Sequence, residues 1–208
     1  MPIPRLLPYI CIADNPQLLA EFSTILAQRR AYLPLLDGPR VTRQDAEAEV
    51  LRRTNTVARL RPKQVILGAL PGSTSDMLRA HLPGDLVVNV STSDELLASV
   101  RNTRTPTKQL PWGQQNIGLG VLRALRYKQQ IAFGEFPCPS DGVGLDADHI
   151  VVCEEGDDHA QVLAANYAYS LDAGLMLIPK FDDDDAETLL DTLYGLQERR
   201  DISPTEGL

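Results

Sequence analysis

Residues 8–28, PYICIADNPQLLAEFSTILAQ, decide the fold, because the apolar pattern changes period inside them. PYICIAD is a short apolar run containing the β-branched Ile10 and Ile12, and it predicts a buried strand. Asp14, Asn15 and Pro16 close that run and open a helix. Leu18, Leu19, Phe22, Ile25 and Leu26 then recur at steps of three and four, which gives the helix one apolar face to lay on a sheet.

The same alternation continues along the chain. AYLPLLDGP at 31–39 reads as a second strand closed by a turn, and Thr42 with Asp45 resembles a capping box opening a helix that Pro62 stops. QVILGA at 64–69 is a third apolar run, leading through LPGSTSD into a short helix, MLRAHL. LVVNV is a fourth strand and STSDELLASV, at 91–100, a fourth helix. Strands that alternate with helices need crossover connections, so the expected fold is α/β, Rossmann-like, with a mostly parallel sheet and helices on both faces. The stretch 103–117, TRTPTKQLPWGQQNI, carries two prolines and few apolar residues and reads as a loop, followed by a helix near 118–132 and a second irregular stretch. HIVVC, at 149–153, is a strand of the same character as the first. These boundaries give a first α/β unit over 1–102, a linker with one helix over 103–148 and a second α/β unit over 149–208.

The two units are related. Setting Cys11 on Cys153 and continuing without a gap places Ala31 on Ala173, Leu35 on Leu177, Leu51 on Leu193 and Pro62 on Pro204, with Thr42 and Asp45 facing Asp184 and Glu187. In this register Val65 and Ile66 align with Gly207 and Leu208. The second unit is therefore expected to be incomplete, the chain being the amino-terminal portion of a longer protein or borrowing its missing strand from elsewhere.

Composition narrows the function. A net charge of −8 opposes binding to a phosphate backbone, which needs clustered Lys and Arg to displace counterions, so no nucleic-acid partner is expected. No stretch approaches the length of a membrane span, the first residues do not read as a signal peptide, and no membrane partner is expected. Three cysteines without a CxxC pair favour a reducing compartment, hence the cytoplasm. Arg123 and Arg126 fall at helical spacing and form with Lys128 a small basic face, which reads as a solvated face more readily than as an anion site.

PKQVILGALPGSTSDMLRAHL resembles the cell-wall-binding repeat of Gram-positive bacterial surface proteins, in which a strand meets a glycine-containing turn, a polar cap and a helix. VVCEEGDDHAQVLAANYAYSLDAGLMLIP is similar to another part of that repeat, and together they cover roughly half the chain. The resemblance implies a flavodoxin-like sheet and noncovalent binding to an anionic wall polymer. The acidic charge, the cysteines and an insertion between the units depart from the family pattern and tell against wall binding.

In an open α/β sheet, ligands bind beyond the carboxyl ends of the strands, where loops meet helix amino termini. That rule selects Gly72, Ser73, Thr74 and Ser75 first, because glycine admits backbone to a ligand and the hydroxyls lie beside unpaired helix N–H groups that favour an anion. Ser91 and Thr92 repeat this chemistry after the next strand. Simple helix capping is the plainer reading of both segments. Asp14 and Glu155 also stand at strand ends, where a carboxylate accepts from ribose hydroxyls or serves as acid or base in a hydrolase. Glu154 stands in the same cluster, whose carboxylates could also hold Mg²⁺, while Asp157, Asp158 and the run Asp182–Asp185 are better read as first-turn residues favoured by the helix dipole. His81, His149 and His159 are isolated, so no metal and no cofactor is expected. Cys11 and Cys153 read as buried apolar residues, Cys138 as the exposed thiol, and Trp112 as a plug between halves.

No matched nucleophile and base emerges, so no catalytic residue is assigned. The leading expectation is a noncatalytic binding or sensing module for a small anionic ligand or a protein partner. Two others stand beside it: an enzyme acting on nucleotides or glycosides through strand-end carboxylates, and an envelope-binding or assembly platform, with a homo-oligomer as one form.

Overall fold

The computed structural model describes residues 7–27, 35–37, 46–100, 106, 108–140, 142–180, 190, 191, 194 and 195. It is a mixed α/β structure with short parallel strands in small sheets. Chain order is β1 (Leu7–Ala13), α1 (Pro16–Leu26), β2 (Leu35–Asp37), α2 (Ala46–Leu60), β3 (Pro62–Gly68), α3 (Gly72–His81), β4 (Val87–Val90) and α4 (Ser93–Ser99). There follow β5 (Gln109–Trp112), α5 (Ile117–Tyr127), β6 (Gln130–Phe133), β7 (Ile150–Glu154), α6 (Asp158–Leu171) and β8 (Gly174–Ile178). The Thr42–Asp45 cap, the Asp182–Asp185 run and the chain end lie outside the described residues.

The first four strands form one parallel sheet in the order β2-β1-β3-β4. Its central strands are unbroken apolar runs because both faces are covered. Ile10 and Ile12 of β1, with Val65 and Leu67 of β3, pack against Val50 and Val57 of α2 and Leu78 of α3. Cys11, Ala13 and Ile66 face the other way, toward α1 and α4. At the carboxyl end this second face is built from small residues: Ala13 pairs with Gly68, and a Cβ on Gly68 would stand 2.8 Å from the Phe22 ring of α1. Glycine there lets α1 close onto the sheet. Asn15 caps α1 by accepting from the N–H groups of Gln17 and Leu18, with Pro16 in the first turn as the sequence leads one to expect.

The remaining strands do not join this sheet. β5 pairs with β6 and β7 with β8, each in parallel and each bridged by a helix. Helices α1, α5 and α6 pack on one another, and the later strands rest on α5 and α6 instead of extending the first sheet, as a single mostly parallel sheet would require. The stretch read as a linker with one helix carries β5 and β6 as well. The helix placed near 118–132 ends at Tyr127, because Lys128 turns left-handed (φ 55°) and donates to the carbonyls of Ala124 and Leu125, freeing Gln130–Phe133 to become a strand.

The β1–β2 and β7–β8 ladders share a register. Cys11 lies beside Leu35 in one ladder and Cys153 beside Leu177 in the other, so the gapless alignment that equates these residues also relates the two ladder registers. The stretches around Ile12 and Val152 are both parallel strands followed by a helix.

One side chain ties the early and late halves together. The Thr24 hydroxyl donates to the Glu21 carbonyl at 2.8 Å and accepts the Ile131 N–H of β6 at 3.2 Å, at a site where Thr24 is 4 % exposed. Replacing Thr24 by Val keeps the shape and leaves that N–H unpaired, at an expected cost of about 1–3 kcal/mol in urea unfolding. Thr24→Ser, which keeps the acceptor, is expected to lose less; equal losses would show that packing of the methyl group, not the hydrogen bond, is what matters.

Candidate functional site

The carboxyl ends of β1, β3 and β4 stop in line, since Ala13 pairs with Gly68 and Gly68 with Val90. Asp14, Ala69 and Ser91 therefore follow one another along a rim. The strand order reverses between β1 and β3: α1 leads from β1 to a strand on one side, while α2 and α3, on the opposite face, lead to strands on the other. Such a reversal parts the connecting loops, and in open α/β sheets ligands bind at that position. Asp14 and the start of α3 follow the strands on its two sides.

The residues chosen at the start of α3 divide into two groups. Gly72 and Ser73 are exposed, and nothing lies within 4 Å of where a Gly72 Cβ would be. Thr74 and Ser75 are turned inward, 1 % and 8 % exposed, and the Ser75 hydroxyl donates to Asn89 Oδ1 at 3.3 Å. The cap position falls on Pro71, which has no polar side chain, and among the described residues no side chain caps this helix. Helix capping by Ser or Asp therefore does not account for the segment. Ala69, immediately before it, holds φ 47°, a left-handed conformation that costs a non-glycine residue about 1–2 kcal/mol. Its N–H donates to the Val90 carbonyl, which fixes the bend.

Capping does account for the second serine-threonine segment. Thr92 accepts the Glu95 N–H at 3.2 Å, and the Glu95 carboxylate accepts the Ser91 N–H at 2.6 Å, so this helix start is already satisfied by its own side chains. Ser93 donates to the Glu21 carboxylate of α1.

Glu155 is exposed beyond β7, in a different sheet from Asp14, and its N–H donates to the Ile178 carbonyl. Among the described residues no hydrogen bond or ion pair brings these two carboxylates together. Asp157 caps α6 by accepting the Ala160 N–H, as an acidic first turn implies. Burial first, and then the Asp157 carboxylate, push the Asp158 carboxyl above its ordinary value, with His159 acting against them. No group of three or more His, Cys, Asp or Glu among the described residues is placed to hold a metal ion. Burial pushes the Cys11 thiol up; burial, then Asp157 and Glu154, do the same for Cys153, so neither is an activated nucleophile. No helix among the described residues is long and apolar enough to cross a membrane.

The sequence undervalued one stretch. Helix α5 is buried on nearly every side, from Ile117 through Leu125, and its polar stripe is short: Arg123 and Tyr127 are exposed and Arg126 half-buried. That stripe opens into a cleft rather than onto a plain surface. Trp112 lies at the cleft wall, 2 % exposed, its indole N–H donating to the Gln115 carbonyl and its ring so close to Gly120 that a Cβ there would stand 2.7 Å away. The indication was present in the sequence, as arginines three apart on an otherwise apolar helix.

No family model, curated protein or solved structure matches this chain.

Proposed function

We propose that the chain is a noncatalytic ligand-binding module of Rossmann-like design, which receives a small phosphate-bearing ligand at the rim of the four-stranded sheet. One observation carries this reading: α3 begins beside the strand-order reversal, and among the described residues no side chain caps its first N–H groups. The strained turn at Ala69 supports it, because a conformation that costs stability is kept where geometry is wanted. Asp14, on the same rim, supplies an acceptor for hydroxyl groups, which favours sugar phosphates and nucleotides over bare anions. The resemblance to wall-binding repeats agrees with the noncovalent binding of an anionic group. A hydrolytic reading is disfavoured by the placement of Asp14 and Glu155 at the ends of different sheets.

A thermal-shift series with sugar phosphates and nucleotides tests the proposal. At a hundredfold excess over Kd a ligand stabilises by about 2.7 kcal/mol, which a melting curve resolves readily. Gly72→Ala is the informative variant. The new methyl group meets no neighbouring atom, so the free protein is expected to keep or gain stability, by up to about 1 kcal/mol, while the ligand-induced shift shrinks. No shift with any phosphate compound, or an undiminished shift in Gly72→Ala, would remove the support for the rim as the site.

An assembly role has one feature in its favour: Tyr167 and Leu171, a turn apart on α6, are 51 % and 48 % exposed. A self-associated species in sedimentation that dissociates on Tyr167→Ser would place docking ahead of ligand binding.

A further inference from the structure

We infer that the cleft over the polar stripe of α5 is a second anion site, separate from the rim, taking a small ligand that joins an oxyanion to a flat apolar group. The cleft holds about 340 Å³, at the small end of the range of roughly 300–1,000 Å³ that accommodates small molecules. It is lined by Arg123, Arg126 and Tyr127 of α5 and by Gly142, Val143 and Gly144. Gly144, at φ 67°, lies against the Arg126 guanidinium with no room for a side chain between them.

The two arginines do different things. Arg126 donates to the Ala173 carbonyl at 2.9 Å and stands in the last turn of α5, where a cation offsets the negative end of the helix. It is therefore partly spent on the fold. Arg123, one turn earlier on the same face, is exposed, and among the described residues it makes no ion pair or hydrogen bond. Asp146 also lines the cleft, yet forms an ion pair with neither arginine. In a protein of net charge −8, two guanidinium groups that line one cleft and, among the described residues, form no ion pair with a carboxylate leave a local positive field open. The fork of N–H groups on Arg123 matches the paired oxygens of a phosphate or carboxylate. The ring of Tyr127, 67 % exposed, and Pro139 provide an apolar wall for the remainder of the ligand. Asp146 disfavours a ligand with several negative charges, which is why a small monoanion or dianion fits better than a polyanion.

The molecule carries its own reporter. Trp112 is the only tryptophan in the chain and lines the cleft, so its emission follows occupancy. Titration of the full chain with phenyl phosphate and with benzoate is expected to change that emission saturably, whereas phenol, which lacks the oxyanion, is not. The stronger of the two anions identifies phosphate or carboxylate as the preferred group. Arg123→Ala is expected to weaken binding at least tenfold with an unchanged melting temperature, Arg123→Lys to weaken it less, and Gly72→Ala to leave it untouched. Absence of saturation by either anion at millimolar concentration, equal binding of phenol, or full binding by Arg123→Ala would overturn the inference. Loss of binding in Gly72→Ala would assign the signal to the rim instead.

Discussion

Phe22→Ala is expected to remove about 3–5 kcal/mol of stability, read as a lowered midpoint in urea unfolding followed by far-ultraviolet circular dichroism. Phe22 is fully buried on the face of α1 that meets the sheet, and its ring fills the space left by Ala13 and Gly68. Leu18, the flexible neighbour beside Gly68, fills only part of the vacancy, because β1 and β3 are held by their ladder and by α2 and α3 behind them. A loss of this size is a large share of the roughly 5–15 kcal/mol that holds a domain folded. Phe22→Leu, which keeps much of the volume, is expected to cost less than half as much. A loss under about 1 kcal/mol for the alanine variant would mean that α1 does not close on the sheet in this way.

Gly118→Val is expected to be nearly as damaging, at about 3 kcal/mol. Helices α5 and α6 cross at Gly118, where a Cβ would stand 2.7 Å from the Gln161 carbonyl oxygen and 3.0 Å from its carbon. Those atoms are backbone and cannot rotate away, so the helices must separate. Separation also breaks the bond by which Gln161 Oε1 accepts the Gly118 N–H at 3.2 Å, a substitute for the side-chain cap that Asn116 does not provide. Because Trp112 rests on the same helix at Gly120, a shift of its emission maximum toward longer wavelength should accompany the loss. An unchanged unfolding midpoint would show that the two helices do not cross so closely.

How much of this was legible depended on what each residue answers to. The strand at PYICIAD and the helix after Asn15 were readable because burial on two faces demands a continuous apolar run, and Asn-Pro is a strong local start. QLPW was not readable as a strand: Pro111 and a mere four residues give no pattern, and β5 exists because β6 and α5 hold it. QIAF was absorbed into the preceding helix, since nothing in the letters of Lys128 announces a left-handed turn. The serine-threonine segments looked alike in sequence and differ in the fold. The difference lies in Glu95, which completes the cap of one, and in Pro71, which withholds a cap from the other. The cleft escaped notice because part of its lining comes from Pro139, Gly142, Val143, Gly144 and Asp146, brought to α5 by the bridge between Val143 and Leu175 rather than by nearness in the chain.

Helix α1 is a stiff rod of roughly 16 Å, taking about 1.5 Å per residue for its eleven residues. Its near end, at Asn15, follows β1; its far portion, at Thr24, accepts the Ile131 N–H of β6. A displacement of α1 at Asn15 would strain or break that bond to Ile131. An occupied rim would thus reach the opposite half of the molecule as a lever stroke, with no hinge loop in between.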